Sequence, residues 1–237
     1  MAYILHLESS TSICSVALAK DGQLVDLQES SEGQNHARLL SVFAGELLSR
    51  NGLRAEQLDA IAVSEGPGSY TGLRIGVSLA KGLCYVNELP LIAVSPLQAM
   101  ADQLLQRREE LKLTLTDNSL LVPMIDARRM EVYTASYDCQ NREISPVAAE
   151  IIDHNSFAAV LKDKQLFFFG NGAAKCSPVI DSPNAHFVEG IHTSAQFMCR
   201  LAWKAYQNKQ FVDLAYFEPF YLKDFIAGKP RKNILTS

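Results

Sequence analysis

Residues 64–83, SEGPGSYTGLRIGVSLAKGL, restrict the folds open to this chain more than any other stretch. A short apolar run at 59–63 leads into a glycine-rich turn, and a helical pattern follows from about 71 to 86. Strand, glycine turn and helix start in series are where proteins hold phosphates or bring two backbones close. Glycine leaves no Cβ in the way, and a helix start offers free N–H groups and a positive dipole end. The turn, Gly66-Pro67-Gly68-Ser69-Tyr70-Thr71-Gly72, lacks the lysine of a Walker A loop. It also departs from the dinucleotide G-x-G-x-x-G pattern and from the G-x-S-x-G nucleophile elbow. Two readings stay open. One is a vestigial phosphate loop of Gly66, Gly68 and Ser69 with the acidic, hydroxyl-rich turn Glu8-Ser9-Ser10; the other is a purely structural tight turn.

Apolar residues surround the helix at 71–86, which predicts burial on more than one side. Gly72, Gly76 and Ala80 recur every four residues. Glycine inside a helix costs about 1 kcal/mol against alanine, and close approach of another helix is the simplest gain that offsets it. That helix lies within the monomer or belongs to a partner. In the second case Gly72, Gly76, Leu79, Ala80 and Leu83 form a subunit interface with Leu39, Leu40, Phe43 and Leu47, the apolar face of a helix at 36–50.

Strands at 3–8, 13–20 and 23–29 read as an antiparallel meander, with Asp21-Gly22 as a hairpin signal. A strand at 91–94 and a helix at 96–110, opened by Ser95-Pro96, follow the glycine stretch. A second lobe begins near Lys112, with strands at 120–125, 131–137 and 166–169 and helices at 154–161 and 193–208. An apolar, aromatic segment at 215–222 is expected to pack back on the body. The expected division is an N-terminal lobe over 1–110 carrying the partner helices and a smaller C-terminal lobe over 111–237. The latter ends in a loose tail made basic by Lys229, Arg231 and Lys232. This order predicts an α/β fold of mixed sheets flanked by helices.

A chain of 237 residues, 48% hydrophobic and 20% charged, can bury a sizeable core. Its net charge of −4 argues against strong autonomous nucleic-acid binding. The five cysteines show no C-x-x-C spacing and read as buried thiols in a reducing cytosol. The N-terminus lacks a signal-peptide pattern and no apolar run reaches a membrane span, so a cytoplasmic location is expected. The five histidines form no metal-binding pair. No metal ligand and no catalytic residue is assigned. Asp126-Ala127-Arg128-Arg129-Met130-Glu131 reads as a solvated hairpin or as an ion-pair contact with a partner.

An ordered set of segments carries a family resemblance: ILHLESSTSICSVAL at 4–18, the glycine stretch, LPLIAVS at 89–95, IDAR at 125–128 with EVY at 131–133, and EPFYL at 218–222. Together they resemble the TsaB family, formerly YeaZ. Several of its members have Asp where this chain has Glu8. The resemblance implies an actin-like ATPase (ASKHA) fold with two ribonuclease H-like lobes. It implies a part in forming N6-threonylcarbamoyladenosine (t6A) beside the tRNA anticodon. The implied partners are the catalytic paralogue TsaD, bound as a heterodimer, and the ATPase TsaE, with tRNA reached through the complex. Ser95 and Met100 fall where that paralogue carries metal-ligating histidines, so the implied role is non-catalytic. ATP or ADP and metal are then expected in the partner subunits or at the complex interface, and no cofactor on the isolated chain. Isolated, the chain is expected to self-pair through the same helices as a homodimer. The rival class is an enzyme in its own right, ATP-binding or peptidase-like.

Overall fold

The computed structural model describes residues 1–31 and 36–223 and builds two five-stranded mixed sheets. The first holds β1 (Tyr3–Glu8), β2 (Cys14–Lys20), β3 (Gln23–Ser30), β4 (Ala60–Ser64) and β5 (Leu91–Val94) in the order β3-β2-β1-β4-β5. Asp21 and Gly22 close the β2–β3 hairpin with φ of 50° and 79°, the left-handed pair that a type I′ turn requires. β4 and β5 join parallel to β1 and to one another. Parallel pairing needs a crossover, and the helices α1 (His36–Arg50) and α2 (Tyr70–Asn87) supply it.

The second sheet repeats this plan with β6 (Ser119–Asp126), β7 (Glu131–Tyr137), β8 (Glu143–Ile151), β9 (Gln165–Phe169) and β10 (Ala185–Val188). Its order is β8-β7-β6-β9-β10, again an antiparallel trio followed by two parallel strands. Three further α-helices lie among the described residues: α3 (Pro96–Arg107), α4 (Ala173–Cys176) and α5 (Cys199–Gln207).

Each sheet is covered on both faces. α1 and α2 lay Leu40, Phe43, Leu47, Val77, Ala80 and Cys84 on Leu5, Leu7, Val16, Leu18, Ile61 and Val63. The opposite face of that sheet presents Ile4, Ala17, Ala60 and Ile92 to Ala195, Met198, Cys199 and Ala202, from α5 and the 3-10 turn before it. α3 instead buries Leu97, Met100, Ala101 and Leu104 against Leu121, Ile125, Phe167 and Phe169 of the second sheet. Ile152, Leu161, Ala173 and Cys176 close that sheet's far side. Across residue 110, α3 packs mainly on the second sheet, with Ala99 reaching the first, and α5 packs on the first.

Other expectations need adjustment. β8 and β10 carry no clear strand pattern in the sequence. Pro146 interrupts the pattern of β8, which lies at the sheet edge, where a missing N–H is tolerated. Residues 154–161 form turns rather than a helix, with Phe157 left-handed at φ 61° and only Val160–Lys162 in a 3-10 turn. The segment at 193–208 starts as the 3-10 turn Ala195–Met198 and becomes α-helical at Cys199. The basic tail lies outside the described residues.

Candidate functional site

β1 and β4 run parallel in register, Leu7 beside Val63, so the turn after β1 and the glycine loop after β4 leave the same edge and meet. Ser69 caps α2 by accepting from the Gly72 N–H at 3.3 Å, while its own N–H donates to the Ser10 carbonyl at 2.7 Å. A Cβ on Gly68 would fall closer than 3.0 Å to the Ser10 carbonyl oxygen, one on Gly72 equally close to that of Ser9, and one on Gly76 to Ser9 Oγ. Real Cβ atoms do not approach that closely. The three glycines thus exist for contact between α2 and the turn Ser9-Ser10.

This contact corrects the interface reading at six positions. Gly72, Gly76 and Ala80 face the chain's own sheet and turn. Leu40, Phe43 and Leu47 are buried in the same core. An apolar helix stripe looks the same in sequence whether a home sheet or a partner covers it. Leu39, Leu79 and Leu83 sit at the half-buried margin of that core. Farther out, Val42, Tyr85 and Val86 are exposed.

The buried groups behind the loop are polar. Glu8 is fully buried; its Oε1 accepts from the Ser10 N–H at 2.6 Å, and burial pushes its carboxyl up. His6, next in line on β1, is held neutral by burial with its pKa lowered to about 4. Glu8, Ser9, Ser10 and Gly66 are all buried, whereas a phosphate cradle presents such groups to a ligand. Among the described residues no group of three His, Cys, Asp or Glu is placed to hold a metal ion.

The two lobes face one another across a cleft of about 710 Å³. Glu65 and Gly66 follow β4, Ser95 and Gln98 open α3, Tyr137 and Glu143 flank the turn after β7, and Glu218 to Tyr221 cross the opening. Burial pushes the Glu65 carboxyl and the Tyr137 hydroxyl above their ordinary ranges. Three acidic side chains, Glu65, Glu143 and Glu218, and no Lys or Arg line this space. Such a lining repels phosphates and does not suit the polyphosphate of a nucleotide. Ser95 accepts from the Gln98 N–H at 3.4 Å as the cap of α3, and Met100 is core. Neither supplies a metal ligand.

The segment EPFYL fastens the cleft. The Phe220 N–H donates to the Glu65 carbonyl at 2.7 Å, and the Tyr221 ring lies 4.6 Å from that of Tyr70. Lys81 of α2 donates to the carbonyls of Ala215 and Phe217, both at 3.1 Å, and Lys223 pairs with Glu131 in the second lobe. Sequence reading placed this segment on the body. It missed the cleft residues Glu65, Gln98, Tyr137 and Glu143, and the only signal toward them was the aromatic motif that closes over them.

Two sheets of one strand order, packed on both faces and opposed across a cleft, define a protein of the actin-like ATPase fold. YeaZ from Pseudomonas aeruginosa shares it, with a TM-score of 0.78 and 27% identity over 94% of this chain and 100% of that one. A family model described as TsaD, tRNA N6-adenosine threonylcarbamoyltransferase, matches residues 29–227. The tRNA threonylcarbamoyladenosine biosynthesis protein TsaB of Haemophilus influenzae is 30% identical over 95% of each chain, and that of Bacillus subtilis 28% over 93% of each. The chain belongs to this TsaD-like family and, within it, to the TsaB proteins.

Proposed function

We propose that this chain is a non-catalytic subunit of the machinery that forms t6A on tRNA, and that it holds and supports a TsaD-type paralogue in the cytoplasm. The observation that carries the reading is the closure of the glycine loop on Ser9-Ser10, beside a cleft lined by Glu65, Glu143 and Glu218. A frame shared with nucleotide enzymes has here been turned to packing. ATP or ADP and metal then belong to the partner subunits, a TsaE-type ATPase among them, or to the complex interface, and tRNA is reached through the complex.

The partner surface is the outer side of α1 and α2, centred on Val42, Tyr85 and Val86 with Leu39, Leu79 and Leu83 at its margin. Tyr85 and Val86 are 79% and 77% exposed, and large apolar side chains left so open beside one another mark an interaction site. Tyr85→Glu/Val86→Glu is expected to reduce co-purification with the paralogue at least tenfold while leaving Tm unchanged. Undiminished co-purification removes the surface assignment. Reconstituting t6A formation with the paralogue, the ATPase and the threonylcarbamoyl-adenylate synthase, with this chain left out of one reaction, tests the role itself. Full modification in that reaction defeats it.

A further inference from the structure

We infer that Arg128 and Arg129, at the tip of the β6–β7 hairpin, form a contact for the phosphate oxygens of an RNA backbone; this rests on the proposed role in tRNA modification. The first observation is conformational. Arg128 has φ 71° and Arg129 φ 50°. The Glu131 N–H closes the turn on the Arg128 carbonyl at 3.1 Å, and both arginines sit in the left-handed region, where a Cβ is strained and Gly, Asn or Asp is favoured. The same chain meets that demand in the ordinary way at Asp21-Gly22. The second hairpin has a longer loop, and there two arginines occupy the positive-φ positions. A strained backbone held at an exposed tip points to a use for the side chains.

The second observation is electrostatic. Asp126 and Glu131, which flank the tip, are each engaged by a lysine from a distant element. Lys175 pairs with Asp126 and also donates to the Glu131 carbonyl at 2.7 Å, and Lys223 pairs with Glu131. Each flanking carboxylate thus has a lysine partner of its own, although the Arg128 N–H also donates to Asp126 at 2.9 Å and its charge acts on that carboxylate. Both arginines are exposed, and neither has a salt bridge among the described residues. The tip presents two exposed arginines, consecutive in sequence, on a chain whose net charge is −4. A guanidinium is the group best shaped for two-point binding of a phosphate, and two in a row match the successive phosphates of a nucleic-acid strand.

The test is tRNA binding by the assembled complex of this chain with its TsaD-type paralogue, measured by fluorescence anisotropy between 50 and roughly 200 mM salt. Arg128→Asn/Arg129→Gly places residues suited to positive φ at both positions, so Tm is expected to rise while tRNA affinity falls about tenfold at the low-salt end. The slope of log affinity against log salt should shrink by roughly one to two. Arg128→Lys/Arg129→Lys should keep most of the slope. Unchanged affinity and slope in the Asn-Gly variant overturn the inference alone. Loss of paralogue binding instead of tRNA binding also overturns it, since the arginines would then meet an acidic protein surface. A wild-type complex with no affinity for tRNA removes the inference and counts against the proposed role as well.

Discussion

The glycine loop of the first lobe and the arginine turn of the second both mismatch residue and backbone, in opposite directions. Gly72 and Gly76 lie in an ordinary helix, where any residue is conformationally acceptable, yet the turn Ser9-Ser10 occupies the place of their missing side chains. Arg128 and Arg129 occupy backbone that favours glycine, yet they carry long charged side chains into solvent. In the first region the surrounding fold dictates the residue. In the second the residue stands against the preference of the fold. Close packing accounts for the first and leaves nothing for a ligand to explain; the second has no account in packing at all.

The contrast breaks most sharply at Gly72. Gly72→Ala is expected to lower stability by about 3 kcal/mol, because backbone must move to admit the methyl group. A urea midpoint close to wild type would mean that the loop is open and the phosphate reading returns. The buried side of the loop also has a pH signature at His6. Between its ordinary pKa of 6.5 and about 4 the unfolded chain binds a proton there and the folded chain does not. Stability therefore falls on acidification, by about 2 kcal/mol between pH 7 and 5. His6→Gln should remove that part of the slope in urea titrations at the two pH values, and an unaltered slope would place the acid sensitivity elsewhere. The smallest effect sharpens the comparison within one helix. Gly82 in α2 has nothing within 4 Å of an added Cβ, so Gly82→Ala should raise stability by about 1 kcal/mol. A loss there would show that the outer side of α2 is already occupied.

Much of the fold was legible because its strands are unambiguous. The apolar run of β4, the alternation of β7 and the Asp21-Gly22 hairpin each specify an element by local rules. The small residues Gly72, Gly76 and Ala80 pointed to a close neighbour but suggested a helix, whereas Gly72 and Gly76 meet the turn at Ser9. They could not name that neighbour, because Ser9 lies over sixty positions away and is itself an unremarkable hydroxyl. For the same reason Leu40 and Leu47 looked available to a partner when their own sheet covers them. The cleft was harder still. Glu65, Tyr137, Glu143 and Glu218 come from separate segments, and only the order of the strands brings them together. At Arg128-Arg129 the charge was visible but the sign of φ was not, since nothing in the local sequence asks arginine to be left-handed.

The exchange of α3 and α5 between the lobes bears on how the chain matures during synthesis. When the first hundred residues have left the ribosome, the first sheet and its α1–α2 cover are complete in sequence. Ile4, Ala17, Ala60 and Ile92 on the other face must still wait for Ala195, Met198, Cys199 and Ala202. At about 5–20 residues per second that delay lasts roughly 5–20 seconds. During it the N-terminal half carries a bare apolar face and cannot reach its final stability alone. The earliest-made lobe is in this sense the last to be finished, and a chain interrupted before residue 195 would be a target for chaperones and proteases rather than a working half.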